Sequence, residues 1–210
     1  ILSGGVHHLW RKALVKWSAA REGQRVLDCA TGTGDLAIGF KRAVGPSGVV
    51  VGTDFSPGML APAPAKAARL GLDIKFEPAD VTQLSYADAS FDISSISFGI
   101  RNVQDPAKGL AELARVVRPG GVVMVLEFGQ PSTPGFREVY EFYSNRVLPR
   151  LGGLVTGKPK AYEYLQSSSA KFPCGDEFVA LMMSTGKYES VSYRTLTFGV
   201  AYMYKGVVRG

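Results

Sequence analysis

The sequence predicts an α/β fold with a mostly parallel, seven-stranded sheet, an antiparallel carboxyl-terminal edge and a small α-helical cap. Three observations predict it. From Gln24 onward, short β-branched runs alternate with helix-period stretches, the pattern of parallel strands joined by crossover helices. Val49-Val50-Val51-Gly52-Thr53 reads as an uninterrupted apolar strand, as expected where both sheet faces are covered. After Phe128 the rhythm changes, and the tail ends in two strand-like runs, Ser190 to Thr197 and Val200 to Tyr204, that read as an antiparallel pair at the sheet edge. With 210 residues, of which 46% are hydrophobic, the chain makes one domain, 1–210, with enough core to stand without staples.

Arg25 to Cys29 reads as the first strand, followed by a helix over Asp35 to Val44 with Leu36, Phe40 and Ala43 on one side. After the Val49–Thr53 strand, the segment Pro57 to Leu70 carries Pro57, Pro62 and Pro64. Interior prolines cost about 3 kcal/mol each in a helix, so this one is expected to be broken or to start late. Ile74 to Glu77 and Phe91 to Ile96 read as the third and fourth strands. Asp105 is a natural N-cap and Pro106 suits a first helical position, with Leu110, Leu113, Ala114 and Val117 as the buried stripe. Arg118-Pro119-Gly120-Gly121 then reads as a stop and turn into the fifth strand, Val122 to Leu126. Phe136, Val139, Tyr140, Tyr143 and Val147 stand at helical spacing, ahead of a glycine-rich stretch, Leu151 to Lys160, and residues 131–172 are expected to cap the carboxyl ends of the strands. A further helix is expected over about Gly175 to Ser184.

Several function classes are disfavoured. No apolar run approaches the ~18 residues of a membrane-spanning helix, so a soluble protein is expected. Cys29 and Cys174 read as two reduced thiols, and the only histidines, His7 and His8, are adjacent, so no metal site is expected. The chain begins at Ile1 without Met, which points to a segment ahead of it and leaves a targeting peptide open. The charge is +6, from 24 basic and 18 acidic residues. It is scattered, densest at Arg11-Lys12, Lys41-Arg42 and Lys158 with Lys160, which argues against nucleic acid and suits a weak attraction to anionic lipid.

The informative stretch is Asp28-Cys29-Ala30-Thr31-Gly32-Thr33-Gly34-Asp35, between a strand and a helix. A glycine turn there lets backbone N–H groups approach a ligand closely. Asp54 ends the second strand, where an acid can take both hydroxyls of a ribose. A dinucleotide site would carry a third glycine, yet Ala37 stands there, and the acid Asp35 at the helix start would repel a diphosphate while tolerating the ammonium end of a methionine-derived cofactor. Ala79-Asp80-Val81 offers an acid and a backbone N–H for an adenine edge. The set points toward S-adenosylmethionine and against a nicotinamide oxidoreductase. Asp28 at a buried strand's end suits a cap on backbone N–H groups as well as a ligand contact; Glu127 reads equally as a site group or a hydrogen-bonded core carboxylate.

Residues 26–128 resemble a class I, Rossmann-like S-adenosylmethionine-dependent methyltransferase. Val26 to Leu36, Ser97-Phe98-Gly99-Ile100-Arg101-Asn102-Val103, Arg118-Pro119-Gly120-Gly121 and Leu126-Glu127-Phe128 together resemble the ubiquinone/menaquinone biosynthesis C-methyltransferase family. The match continues through Val147 to Gly152, Tyr162 to Leu165 and Phe172-Pro173. Two departures stand out: Ala30 where many class I enzymes have glycine, and the prolines at 62 and 64.

The resemblance implies a cofactor site of Asp28, Gly32, Thr33, Gly34, Asp54, Asp80, Val81 and Ser97, with Asp54 on the ribose, Asp80 and Val81 on the adenine and Ser97 on the methionine side. It implies C-methylation of a prenylated quinol ring, demethylmenaquinol or 2-methoxy-6-polyprenyl-benzoquinol. A ring carbon becomes nucleophilic once the adjacent phenol, pKa ~10, is ionised, and a nearby cation lowers such a value by ~1–3 units. Arg101 follows the fourth strand directly and is the expected phenolate stabiliser, with Asn102 on a second ring oxygen. The acceptor of the ring proton is left among water, His7 and the cap tyrosines. Phe98, Phe128, Tyr140, Tyr143 and Leu148 are the expected walls for the isoprenoid tail. Also expected are a homodimer, and a cytoplasmic location with peripheral membrane contact, on the mitochondrial matrix side or in a plastid for a eukaryotic chain. The rival readings are a methyltransferase for a sterol or a phenolic oxygen, and a non-catalytic cofactor-binding scaffold of a quinone-synthesis complex.

Overall fold

A computed structural model describes residues 6–131, 168 and 172–210. Its central sheet runs in the order β3-β2-β1-β4-β5-β7-β6, with β1 Arg25–Cys29, β2 Val49–Asp54, β3 Lys75–Pro78, β4 Phe91–Ser97, β5 Val117–Phe128, β6 Tyr188–Leu196 and β7 Ala201–Val208. The first five strands pair in parallel, and β7 runs antiparallel between β5 and β6. The expected architecture, mostly parallel with an antiparallel end, is the observed one.

Alternation along the strands sorts the core into two layers. On β5, Val123 and Val125 face one layer while Met124 and Leu126 face the other. Helices α1 (Val6–Ser18) and α2 (Asp35–Val44) cover the second layer with Trp10, Leu14, Leu36 and Phe40. The first layer is closed by α5 (Pro106–Arg115) and α6 (Asp176–Ser184), through Leu110, Leu113, Phe178 and Met182. The buried Tyr188 hydroxyl donates to the Leu110 carbonyl at 2.7 Å and so ties the antiparallel edge to α5.

The proline-rich segment breaks as expected, into α3 (Pro57–Leu60) and α4 (Ala63–Arg69), each with proline at or beside its start. Asp105 caps α5, its side chain accepting from the Lys108 amide. Two expectations are corrected at the end of α5. Val117 belongs to β5 and not to the helix stripe, and Arg118 to Gly121 does not separate helix from strand. Phe91 pairs with Val117 and Ile93 with Val122, so β5 runs through five positions while β4 runs through two. The extra residues bulge out, with Gly120 at φ 72°, and the Arg118 side chain returns to Asp92 at 2.7 Å. The stretch 132–167, with Phe136, Val139, Tyr140, Tyr143, Val147, Leu148 and Tyr162 to Leu165, lies outside the described residues, as does most of the expected cap.

The strand order reverses at β1, between β2 and β4. The connections leaving β1 and β4 therefore diverge at their carboxyl ends, which opens a crevice there. Its floor is tight. Ala30 sits at φ 49°, in the left-handed region, and a Cβ added to Gly99 would lie 2.4 Å from the Ala30 methyl. The two loops can approach this closely because Gly99 carries no side chain. Gly99→Ala is expected to cost about 1–3 kcal/mol by overpacking, and Ala30→Gly in the same chain to restore most of it. Urea denaturation of the two single variants and the double measures this coupling; additivity within about 0.5 kcal/mol would refute it.

Candidate active site

Across the carboxyl edge of β3, β2, β1 and β4 lies a cavity of about 640 Å³, within the size range of small-molecule sites. Its wall includes Gly32, Thr33, Asp54, Asp80, Val81, Ser97 and Asn102, so one cavity collects these expected residues. Asp28, Gly34 and Arg101 are not on the wall, and neither are His7 and His8.

Asp28 lies beneath the turn and is fully buried. One oxygen accepts the Thr31 hydroxyl at 2.6 Å and the other the Ser95 hydroxyl at 2.7 Å. Burial pushes its carboxyl up to about 6, against the pull of these two hydroxyls. Gly34 adopts φ 79°, and its amide donates to the Thr31 carbonyl at 2.9 Å, closing the turn from inside. Its missing side chain leaves room for Phe76 and Ala63, since an added Cβ would lie 3.0 Å from the Phe76 ring. Both residues shape the wall that Gly32 and Thr33 present.

Asp54 reaches the cavity and also holds it open. One oxygen accepts the Gly32 amide at 2.8 Å and the other the Ser56 amide at 2.9 Å. Each keeps lone-pair capacity for a further donor, since an ionised carboxylate offers about four acceptor positions. Asp80 accepts both the amide and the hydroxyl of Thr82 at 2.8 Å through one oxygen. These bonds, the backbone one foremost, hold its carboxyl below the usual range.

Asp35, expected to tolerate a ligand's ammonium group, is occupied otherwise. Lys66 Nζ lies 2.6 Å from it and the Thr33 hydroxyl donates to it at 3.1 Å. Burial pushes its carboxyl up, but the Lys66 bond and charge outweigh that and hold it below its ordinary value.

Arg101 lies behind the wall. Its Nη1 donates to the Phe98 carbonyl at 2.8 Å and to Glu127 at 2.6 Å, and the guanidinium faces the Phe128 ring at 5.5 Å. The side chains of Arg101 and Glu127 are 8% and 2% exposed, a buried ion pair. Burial raises the Glu127 carboxyl, although the Arg101 charge opposes that. Arg101 Nε is buried with no hydrogen-bond partner among the described residues.

Sequence reasoning missed several wall residues. Phe55 and Met59 flank the cavity while remaining 78% and 56% exposed. Arg11, from α1, also lines the cavity, and no motif singles it out. Cys29 is free, buried and on the wall, its thiol pushed up to about 12 by burial. That makes it a poor nucleophile. Among the described residues no group of three His, Cys, Asp or Glu could hold a metal, and no helix is long and apolar enough to cross a membrane.

A sequence model described as the ubiE/COQ5 methyltransferase family matches residues 1–208. A Bdellovibrio bacteriovorus protein named ubiquinone/menaquinone biosynthesis C-methyltransferase UbiE is 64% identical over 209 residues, covering 100% of this chain and 88% of that one. A Thermus thermophilus protein named demethylmenaquinone methyltransferase is 45% identical over 206 residues, covering 98% of this chain and 92% of that one. Among solved structures, a SAM-dependent methyltransferase from Aquifex aeolicus superposes with a TM-score of 0.68 at 19% identity, covering 98% of this chain and 94% of that one. At that identity the likeness speaks for the fold alone.

Asp28 makes stability depend on pH. Its carboxyl takes up a proton near 6 in the folded chain and near 4 when unfolded, so the native state binds more protons between those values. That contribution is fully present below about pH 4 and is lost as pH rises through about 6, roughly 3 kcal/mol in all. Asp28→Asn cannot titrate. Relative to this variant, the wild type is expected to lose roughly that much between pH 4 and pH 7 in urea denaturation. A gap that stays constant with pH would refute the shift.

Proposed function

The chain belongs to the ubiE/COQ5 methyltransferase family, and on that premise we propose that it methylates a ring carbon of a prenylated quinol, demethylmenaquinol or 2-methoxy-6-polyprenyl-benzoquinol, with S-adenosylmethionine as methyl donor. The observation that carries this reading is the 64% identity, over the whole chain, to a relative named for C-methylation in quinone biosynthesis. The cavity suits the donor chemically. Asp54 and Asp80 are acceptors for hydroxyl and amino groups, and the turn at Gly32 lies on the wall beyond Asp54.

When bound, S-adenosylmethionine supplies an electrophilic methyl on sulfur. Asp54, oriented by the Gly32 and Ser56 amides, takes the ribose hydroxyls; Asp80 and Val81 take the adenine edge; Thr33 and Ser97 face the methionine portion. Asp28 and Gly34 act from beneath by fixing the turn.

Asn102, on the wall, holds one ring oxygen of the quinol. Arg101 stands behind it, and its fixed charge favours the phenolate over the phenol. Glu127 orients the guanidinium through Nη1 and leaves Nε without a hydrogen bond. Because neither charge of the pair is exposed to water, the field they set up is weakly screened. Phe98 supplies apolar surface on the wall for the start of the isoprenoid tail, and Phe128, expected beside it, is not on the wall but packs against the Phe98 ring with centroids 4.4 Å apart. Tyr140, Tyr143 and Leu148, expected to extend that wall, lie outside the described residues. The +6 charge favours docking on anionic lipid, where such a substrate dissolves.

Three measurements test this. Incubation with labelled S-adenosylmethionine and each reduced demethylated quinone should give a carbon-methylated ring by mass analysis; label only in a sterol or on a phenolic oxygen, or no transfer at all, overturns the reading. Removing Arg101 alone would bury an unpaired Glu127, so Arg101→Gln is combined with Glu127→Gln. The pair is expected to lower turnover about 10²–10³-fold and leave S-adenosylhomocysteine affinity within about twofold. Equal losses in both would make the ion pair an organiser of the cofactor pocket. Vesicles containing anionic lipid should retain the protein at low salt and release it as salt is raised; absence of binding at low salt removes the membrane part.

A further inference from the structure

Arg11 is a half-buried cation with two guanidinium nitrogens that make no hydrogen bond. It projects from α1 into the cavity wall, and its Nε and Nη1 are buried without a hydrogen-bond partner. Unsatisfied guanidinium nitrogens out of contact with water are costly and call for an acceptor. Asp35 is the nearest acid, but its oxygen lies 3.7 Å from Nη1, beyond hydrogen-bond length. That carboxylate is already engaged by Lys66 at 2.6 Å and by the Thr33 hydroxyl at 3.1 Å. The Phe98 ring, 5.8 Å from the guanidinium carbon, holds the group in place without accepting from it.

Its position along the cavity is informative. The cavity runs from the β3 end, at Asp80, past Asp54 on β2, to the turn after β1 and the loop after β4. Arg11 lies beside Asp35 and Phe98, at the end away from Asp80. An acidic wall along the sugar and base portion thus gives way, at the far end, to a cation whose Nε and Nη1 make no hydrogen bond. From this we propose that Arg11 binds the α-carboxylate of the amino-acid portion of the methyl donor and its product. The N–H groups of a guanidinium give charge-assisted hydrogen bonds to carboxylate oxygens, a partner for which arginine is suited. The assignment rests on the S-adenosylmethionine reading above and adds a carboxylate subsite contributed by the leading helix.

Calorimetry on the full chain separates the two claims. S-adenosylhomocysteine carries the carboxylate, whereas 5′-methylthioadenosine keeps the adenosine and sulfur and lacks the amino-acid portion. Arg11→Met should weaken S-adenosylhomocysteine about ten- to hundredfold, as loss of a charge-assisted bond does, and leave 5′-methylthioadenosine within about twofold. Arg11→Lys, which keeps the charge but not the fork, should fall between wild type and Arg11→Met on the first ligand only. Equal weakening of both ligands, or no weakening of the first, overturns the assignment and leaves the cofactor reading intact. Failure of the wild type to bind either ligand would instead sink the cofactor reading and this assignment with it.

Discussion

A carboxylate buried at the end of the first strand couples the two strands between which the cavity opens. Asp28 and Ser95 are register partners across β1 and β4, and the Ser95 hydroxyl donates to Asp28. The same carboxylate accepts Thr31, three residues on, and so fixes where the turn leaves the strand. Burying it is unfavourable, as its raised pKa records. Satisfying it takes two hydroxyls, from Thr31 in the turn and Ser95 on β4. The cavity wall is therefore set from behind, before any ligand arrives.

Asp54 completes the support from the other side. Its bond to the Gly32 amide spans β2 and the turn after β1, while its bond to Ser56 shapes the start of the next segment. Two acids on neighbouring strands thus grip one short loop, one from below and one from the flank. Ala30, Gly32 and Gly34 all take positive φ, and the grip of the two acids adds to the Gly34-to-Thr31 backbone bond that closes the turn. Ala30 is the residue where many related enzymes carry glycine, and its methyl is accommodated by the bare backbone of Gly99. One departure in sequence is absorbed by one glycine in the loop after β4.

Most of this was legible in the sequence because its signals are local. A β-branched run ends, glycines permit positive φ, a helix begins, and the next strand ends in an acid; each feature lies within a few residues of the next. The proline-broken helix and the N-cap of α5 were legible for the same reason. What depended on partners distant in sequence was not. Val117 looks like the last position of a helix stripe until Phe91 pairs with it, and Arg118 to Gly121 looks like a turn until β4 resumes pairing at Val122. Asp28 stands near the end of β1 and Arg101 in the 3₁₀ turn Ile100–Asn102 after β4, close to where ligands gather, but local sequence cannot say whether such a side chain faces a crevice or the layer beneath it. Glu127, across the sheet on β5, decides that for Arg101. Arg11 belongs to a helix with no motif, and only the packing of α1 over β5 and α2 brings it to the cavity.

The loop after β4 shows what those two arginines do together. Phe98 occupies φ 56°, a left-handed conformation that a bulky residue adopts at a cost of order 1–3 kcal/mol. Arg11 lies over its ring, Arg101 donates to its carbonyl, and its amide donates to Leu126 on the neighbouring strand at 2.7 Å. Held at ring, carbonyl and amide, the strained residue cannot relax without releasing one of these contacts. The strain is therefore maintained by the same two cations that flank the site, and Ser97 and Gly99, its chain neighbours on the cavity wall, inherit their positions from it. A cation that left Phe98 to follow a ligand would loosen the loop. A cation that accepts an anion while staying over the ring gains a partner at no cost to the loop. The unused donors of Arg11 and Arg101 are thus best placed where they are: on groups already fixed by the aromatic ring and the backbone, so that binding a negative charge requires little further ordering.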